Sequence, residues 1–204
     1  LDKLDNLKKT YLKRKIPIYV NYFRKWDNQF KKIGKLINNS NKGDLLKIEI
    51  HYSKGLVHTG THYLDFLIDW FGKPIRWTSP TPIEKINSSD FTSSFDIFFM
   101  YKDKEVLVRM IGMEMKNDTD KVSVFFKKSK IEIIGARFVN YYKYNDNNKE
   151  EIVKKEPTEF NNIILKIINN ITKVPENSDA IHKDNFKQSY KILEYAIEIN
   201  KSLF

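Results

Sequence analysis

Three of the four histidines in this chain, His51, His58 and His62, fall within twelve residues. Imidazole is the side chain whose ordinary pKa lets it take or give a proton between pH 5 and 8, so chemistry is sought here first. On a helix over residues 56–71, at 100° per residue, His58, His62, Asp65 and Asp69 project within about 60° of one another. Val57, Leu64, Leu67, Ile68 and Phe71 gather on the far side. One face is then titratable and the other belongs to a core. Two chemistries suit such a stripe, and a solvated helix face can produce it with none. Histidines four residues apart with Asp65 could ligate zinc, although the Glu of a metalloprotease helix is missing and no further ligand can be named. A histidine at the wall of a cleft could exchange a proton with a substrate hydroxyl, with Asp65 orienting it.

Other reactive constellations are absent from the sequence. There is no cysteine, hence no disulfide, thiolate nucleophile or cysteine-held metal, which fits a reducing cytoplasm, the expected location. No Gly-x-Ser-x-Gly turn occurs, and Ser53, Ser88 and Ser89 read as turn residues. Neither a Gly-x-Gly-x-x-Gly turn nor a P-loop is present to cradle a nucleotide phosphate. The net charge of +10 comes from 31 lysines and only five arginines, scattered along every segment among abundant Asn and Ile. Base readout and phosphate clamping favour arginine, so no nucleic-acid partner is expected. No apolar run approaches the roughly 20 residues of a membrane span.

The elements that must hold the histidines follow from periodicity. With 204 residues, 41% hydrophobic and 14% aromatic, the chain can bury a sizeable core. Leu4, Leu7, Tyr11 and Leu12 predict a helix over 3–14, and Ile16 to Tyr22 a short buried strand. Phe23, Trp26, Phe30, Ile33 and Leu36 predict a helix over 23–36. Ile48, Ile50 and Tyr52 alternate with Lys47, Glu49 and His51 as in a half-exposed strand. Strand-like runs follow at 94–101, 105–111, 121–126, 130–134 and 138–144, and the tail returns to helix around 160–171 and 186–197. The expected class is α+β: an open, mainly antiparallel sheet with helices on one face. Apolar groups on both sides of strands such as 95–101 leave the other face short of cover, which invites association with a second copy.

Two stretches carry a resemblance. Val20-Asn21-Tyr22-Phe23-Arg24-Lys25-Trp26-Asp27, and Tyr52 to Asp65 with Gly55, His58, Gly60 and His62, closing at Trp70-Phe71-Gly72, resemble the glucose-fructose oxidoreductase and inositol dehydrogenase family, Gfo/Idh/MocA. The last helix, Asp184 to Ser202, is similar to that family's closing helix. The resemblance implies a C-terminal domain at 23–204 that binds substrate and oligomerises. Residues 1–22 would be the last helix and strand of a Rossmann domain lying upstream, in keeping with a chain that opens on Leu1.

It further implies an oxidoreductase using NAD or NADP, the cofactor bound mainly by the Rossmann domain, on a sugar-like substrate or nucleotide-sugar derivative. By the family pattern His62 is the catalytic residue, while His58, Lys54 and Tyr52 border the substrate. Asn21, Tyr22 and Arg24 would lie beside the cofactor. The family places an Asp where this chain has His58, and often a Gly where it has Lys54. No metal is implied. Without its cofactor domain the chain would be silent in catalysis, and a homo-oligomer through the sheet face is expected. The alternatives are a self-associating module of the same fold that has lost turnover and, further off, a zinc-dependent hydrolase.

Overall fold

A computed structural model describes residues 2–14, 20–39, 45–114, 119–135, 137–145, 147, 149–172 and 179–202. Among these residues nine strands form one sheet: β1 Leu45–Tyr52, β2 Arg76–Trp77, β3 Thr81–Asn87, β4 Asp90–Tyr101, β5 Lys104–Gly112, β6 Lys121–Phe126, β7 Ser129–Ile134, β8 Phe138–Tyr144 and β9 Glu150–Pro157. Their order is β2-β4-β5-β1-β6-β7-β8-β9, with β3 also paired to β4. Every pairing is antiparallel except β1 with β5, where Ile48 lies beside Val108 and Ile50 beside Met110. The class read from the sequence is therefore the observed one. The strands it missed are β2, β3 and β9. Strand β9 carries Glu150, Glu151, Lys154 and Lys155 and ends on Pro157, a composition that hides a strand and also discourages further pairing at an edge.

Among the described residues five α-helices accompany the sheet: α1 Asp2–Arg14, α2 Asn28–Asn38, α3 Thr61–Phe71, α4 Phe160–Thr172 and α5 Asp179–Lys201. Alternation along the strands sends Ile48, Ile50, Phe95, Ile97, Phe99, Val108, Val122 and Val124 to one face. There they meet Phe30, Ile33 and Ile37 of α2, Leu64, Phe66, Leu67 and Trp70 of α3, and Ile192, Ala196 and Ile199 of α5 in a single core. Each such side chain contributes roughly 1.5–3 kcal/mol by leaving water. Helix α1 packs elsewhere. Its Tyr11 stacks on Phe186 of α5 at 4.0 Å, and Tyr190 of α5 donates to Asp5 at 2.6 Å. Of the strand expected at 16–22, residues 16–19 lie outside the described residues, and Val20 to Tyr22 form no strand.

Two helices differ from expectation for local reasons. The helix expected at 23–36 is broken into a 3-10 turn, Phe23–Trp26, and α2, because Asp27 is extended at ψ 128° and caps α2. Its carboxylate accepts from the Gln29 amide at 2.7 Å and from the Glu159 amide at 2.9 Å, and the Glu159 carboxylate accepts in return from the Asn28 amide. Two helix starts, α2 and α4, are thus tied together by reciprocal capping. The helix expected at 56–71 opens as a wide π turn, Leu56–Gly60, before α3 begins. That wide turn takes His58 off the 100° wheel, while His62, Asp65 and Asp69 keep their helical spacing within α3. Asp65, expected on an open polar face, is fully buried, whereas Asp69 is exposed.

The opposite face of the sheet is neither bare nor apolar throughout. Phe98, Met100, Leu107, Ile111 and Phe125 point away from the core, between ion pairs. Arg109 grips Asp96 through two bonds of 2.8 and 3.1 Å, Lys47 meets Glu49 at 2.7 Å, and Glu132 lies 3.3 Å from Lys130 and 3.8 Å from Lys121.

Helices α2 and α3 approach at Gly34, where a Cβ would come within 2.7 Å of the Trp70 indole. Alanine would favour α2 by about 1 kcal/mol, but displacing a buried indole costs more, about 1–3 kcal/mol. Gly34→Ala is therefore expected to lower stability by up to about 2 kcal/mol in a urea titration followed by tryptophan fluorescence. An unchanged midpoint would show that Trp70 moves freely.

Candidate functional site

The histidine turn is seated by a residue from another strand. Asp90, at the start of β4 and 3% exposed, accepts from the amides of Val57 at 2.9 Å and His58 at 3.1 Å, and Asn200 of α5 reaches the same carboxylate at 3.3 Å. A carboxylate at free amides at the start of a helical segment satisfies donors that the segment cannot satisfy itself. The approach requires Gly55, whose φ is +91° and whose Cβ would stand 2.1 Å from Asp90 Oδ2. Next to it the Gly55 amide donates to Thr92 at 2.9 Å. Lys54 precedes it at φ +64°, the left-handed region where glycine is at ease, so the lysine stands strained at a position where glycine fits better.

His62 sits one turn further on, half-buried. Its ring meets Tyr22 edge-on and Phe23 at a tilt, both centroids 5.3 Å away. Its Nδ1 is buried and has no hydrogen-bond partner among the described residues. Burial first, then the nearby charges of Arg24 and His58, depress its pKa to about 4. At neutral pH the ring is uncharged. His58 is exposed on the π turn, as is Lys54 before it.

Beneath His62 runs a polar chain that the sequence did not reveal. Tyr63 donates to Asp120 at 2.6 Å and accepts from Arg24 at 3.0 Å, and Arg24 also lies 3.8 Å from Asp120. Ser53 donates to the other Asp120 oxygen at 3.4 Å. Arg24 is 7% exposed, its guanidinium 4.3 Å from the centre of the Tyr63 ring, and burial holds the Tyr63 hydroxyl protonated far above its usual range. Asp120 stands just before β6, and the pairing of β6 with β1 carries it here. Nothing near it in sequence announces the contact.

The remaining expected residues divide. Tyr52 is fully buried; its hydroxyl donates to the Ser93 carbonyl at 2.7 Å and accepts from the Ser93 amide at 3.1 Å. It joins β1 to β4 and has no face toward a substrate, contrary to its expected place at the cleft. Tyr22 is 6% exposed and its pKa is pushed up to about 12 by burial, so it walls His62 rather than offering a hydroxyl. As a test of fit to a nicotinamide nucleotide, the trio Asn21, Tyr22 and Arg24 leaves Asn21 exposed for contact, while Arg24 is engaged inward by Tyr63 and Asp120. Beside this segment His62 Nδ1 is a buried polar atom without a hydrogen-bond partner among the described residues. His51 points to the opposite face of the sheet, where burial and Lys121 lower its pKa, so the three histidines do not converge. Among the described residues no three His, Asp or Glu side chains are grouped to hold a metal ion.

With this geometry the chain was compared with known proteins. No protein-family profile and no curated protein sequence matches it. Solved structures do. The super-repressor mutant of Gal80p from Saccharomyces cerevisiae matches with a TM-score of 0.67 at 14% identity, over 98% of this chain and 66% of its own. An oxidoreductase from Sinorhizobium meliloti gives 0.66 at 12%, over 98% and 66%. The dehydrogenase MviM from Clostridium difficile gives 0.58 at 12%, over 93% and 64%. The fold is that of the Gfo/Idh/MocA-type oxidoreductases. The chain spans about two thirds of the length of these neighbours. Among the described residues no helix is long and apolar enough to cross a membrane.

Asp65, directly behind the site, opposes His62 in its response to pH. It lies 3.6 Å from Lys25 and accepts from Gln188 at 3.2 Å, yet burial outweighs the lysine and pushes its pKa up to about 7. The folded state therefore holds a proton on Asp65 between about pH 4 and 7, and that stabilisation is lost as pH rises through 7. For His62, depressed below its unfolded value, stability is present above about pH 6.5 and lost as pH falls toward 4. Asp65→Asn should stabilise the fold by about 1–3 kcal/mol at pH 8 and be nearly neutral at pH 4.5, measured by urea titration at both values. Equal effects at the two pH values would show that Asp65 is ionised throughout.

Proposed function

We propose that this chain is the substrate-binding and oligomerisation part of a nicotinamide-dependent oxidoreductase acting on a sugar or nucleotide-sugar derivative. NAD or NADP would be held mainly by a domain outside these residues, since the sequence offers no glycine-rich phosphate cradle. The observation that carries the reading is His62: a neutral imidazole with a buried, unpartnered Nδ1, walled by Tyr22 and Phe23, within a fold shared with oxidoreductases.

When bound, the nicotinamide supplies or accepts a hydride at a carbinol carbon. The side chains of this chain handle the hydroxyl. Nε2 of His62, the ring nitrogen that is not buried, accepts the hydrogen bond of the substrate O–H and orients it. A second proton on the ring is uphill by about 4 kcal/mol at pH 7 for a group with a pKa near 4, so it is passed onward rather than stored. By the family resemblance, a lysine of the cofactor domain lies on that onward path. Exposed His58 binds a neighbouring hydroxyl, and Lys54 an anionic group of the substrate. Asn21 is the residue of its segment that touches the cofactor, with Tyr22 and Arg24 positioning His62 from behind. The outer sheet face, with Phe98, Leu107, Ile111 and Phe125 among its ion pairs, joins two copies.

Two observations favour a second reading, a self-associating module without turnover. His58 stands where the family resemblance places an Asp, and a neighbour sharing the fold is a super-repressor mutant.

In the full-length protein, His62→Ala is expected to lower turnover by about 100-fold or more with cofactor binding nearly unchanged. The pH dependence removed by His62→Gln should be centred near 4 rather than 6.5. Unchanged turnover in His62→Ala would remove the residue from the mechanism, and no turnover in the parent on any sugar-like alcohol would favour the module. Light scattering should show a dimer or larger; a monomer at high concentration would oppose self-association through the sheet.

A further inference from the structure

A concavity lies at the corner of the sheet, on elements that share no residue with the His62 site. It is about 610 Å³, within the roughly 300–1,000 Å³ of small-molecule sites. Leu36 of α2, Phe126, Ile131, Tyr141 and Val153 make a wall that is mostly carbon. The mouth is ringed by the β6–β7 turn, with Lys127 and Lys128, and by Lys143 of β8 and Lys154 of β9.

The lysines differ in how they are held. Lys130, also lining the cavity and 7% exposed, is engaged by Glu150 at 2.5 Å and Glu132 at 3.3 Å and lies over the Tyr142 ring at 4.5 Å. Lys154 is paired with Glu156 at 2.6 Å. Lys128 and Lys143 are exposed, and among the described residues neither is held by a carboxylate. A solvated surface lysine is ordinary, but two unpaired ammonium groups at the mouth of an apolar cavity are charge complementary to one kind of guest. An apolar body can fill the carbon-lined interior while a single anionic head remains at the rim, close to the lysines and to water. A polyhydroxylated sugar would instead leave its hydroxyls facing Leu36, Phe126, Ile131 and Val153 without partners.

We propose that this corner cavity binds a small anionic amphiphile, a linear or ring-bearing hydrocarbon of about ten carbons carrying one carboxylate or phosphate. The hydrocarbon lies along Phe126, Ile131 and Tyr141, and the head group meets Lys128 and Lys143. The site is distinct from the one that handles the hydroxyl, so its occupancy does not depend on the oxidoreductase reading.

Isothermal titration of the full chain with dodecanoate and with dodecyl phosphate, below their micelle concentrations, tests it. Dodecyltrimethylammonium serves as the cationic control. Two variants at exposed positions, Lys128→Glu/Lys143→Glu and Val153→Asp, are checked for an unchanged thermal midpoint. Binding of one anion per chain is expected, at least tenfold weaker in either variant and weakening as salt is raised. Preference for the phosphate or the carboxylate assigns the head group. Absence of binding, equal binding of the cationic amphiphile, or full affinity retained in both variants would overturn the proposal.

Discussion

The arrangement of the site depends on a single carboxylate meeting two amides. Asp90 belongs to β4, far from the histidine segment in sequence, yet it receives the Val57 and His58 amides and so fixes where the π turn begins. Its seat exists only because Gly55 has no side chain and Lys54 accepts a left-handed backbone. The strand that forms the floor of the core thereby sets the angle at which α3 leaves β1. Tyr52 fastens the same two strands from within through Ser93. Asn200 adds α5 to the same anchor, so three separate parts of the chain agree on the placement of His58 and His62.

Electrostatics then decides what those histidines can do. Arg24 could have been a surface cation; instead Tyr63 and Asp120 hold it under the site, where its charge helps keep His62 neutral. Burial dominates both titrating groups here, lowering the pKa of the imidazole and raising that of Asp65. The same removal from water thus removes charge from a base and from an acid. A neutral, unpartnered ring at the edge of an aromatic wall is a hydrogen-bonding device first, and a proton acceptor only for as long as another group can take the proton away.

The sheet was legible because its central strands alternate cleanly: Ile48, Ile50 and Tyr52 of β1 reveal their buried face without help. Strand β9 was not, because an edge strand with seven of eight residues exposed has no hydrophobic period to read. The histidine helix was placed correctly in sequence but not in phase. A π turn adds a residue to its first turn, and no residue type signals that by itself. His62 was reachable through its family resemblance, whereas Asp120 and Asp90 depend on strand pairing across large separations and had no local mark. Tyr52 was misread for the opposite reason: a tyrosine beside a histidine segment suggests a site, but alternation in β1 had already assigned it to the core.

Strand β1 lies at the centre of the sheet with β5 parallel on one side and β6 antiparallel on the other. Neither neighbour is adjacent to it along the chain. A polypeptide emerging from the ribosome therefore carries a half-apolar strand with both hydrogen-bonding edges open until residue 112 has been made, and with one edge still open until residue 126. The meander from β6 to β8 can zip up locally, but the middle of the sheet waits for a long loop to close. Kinetically, the nascent chain is most exposed to misassociation during this interval, and the element at risk is the one from which the histidine turn springs.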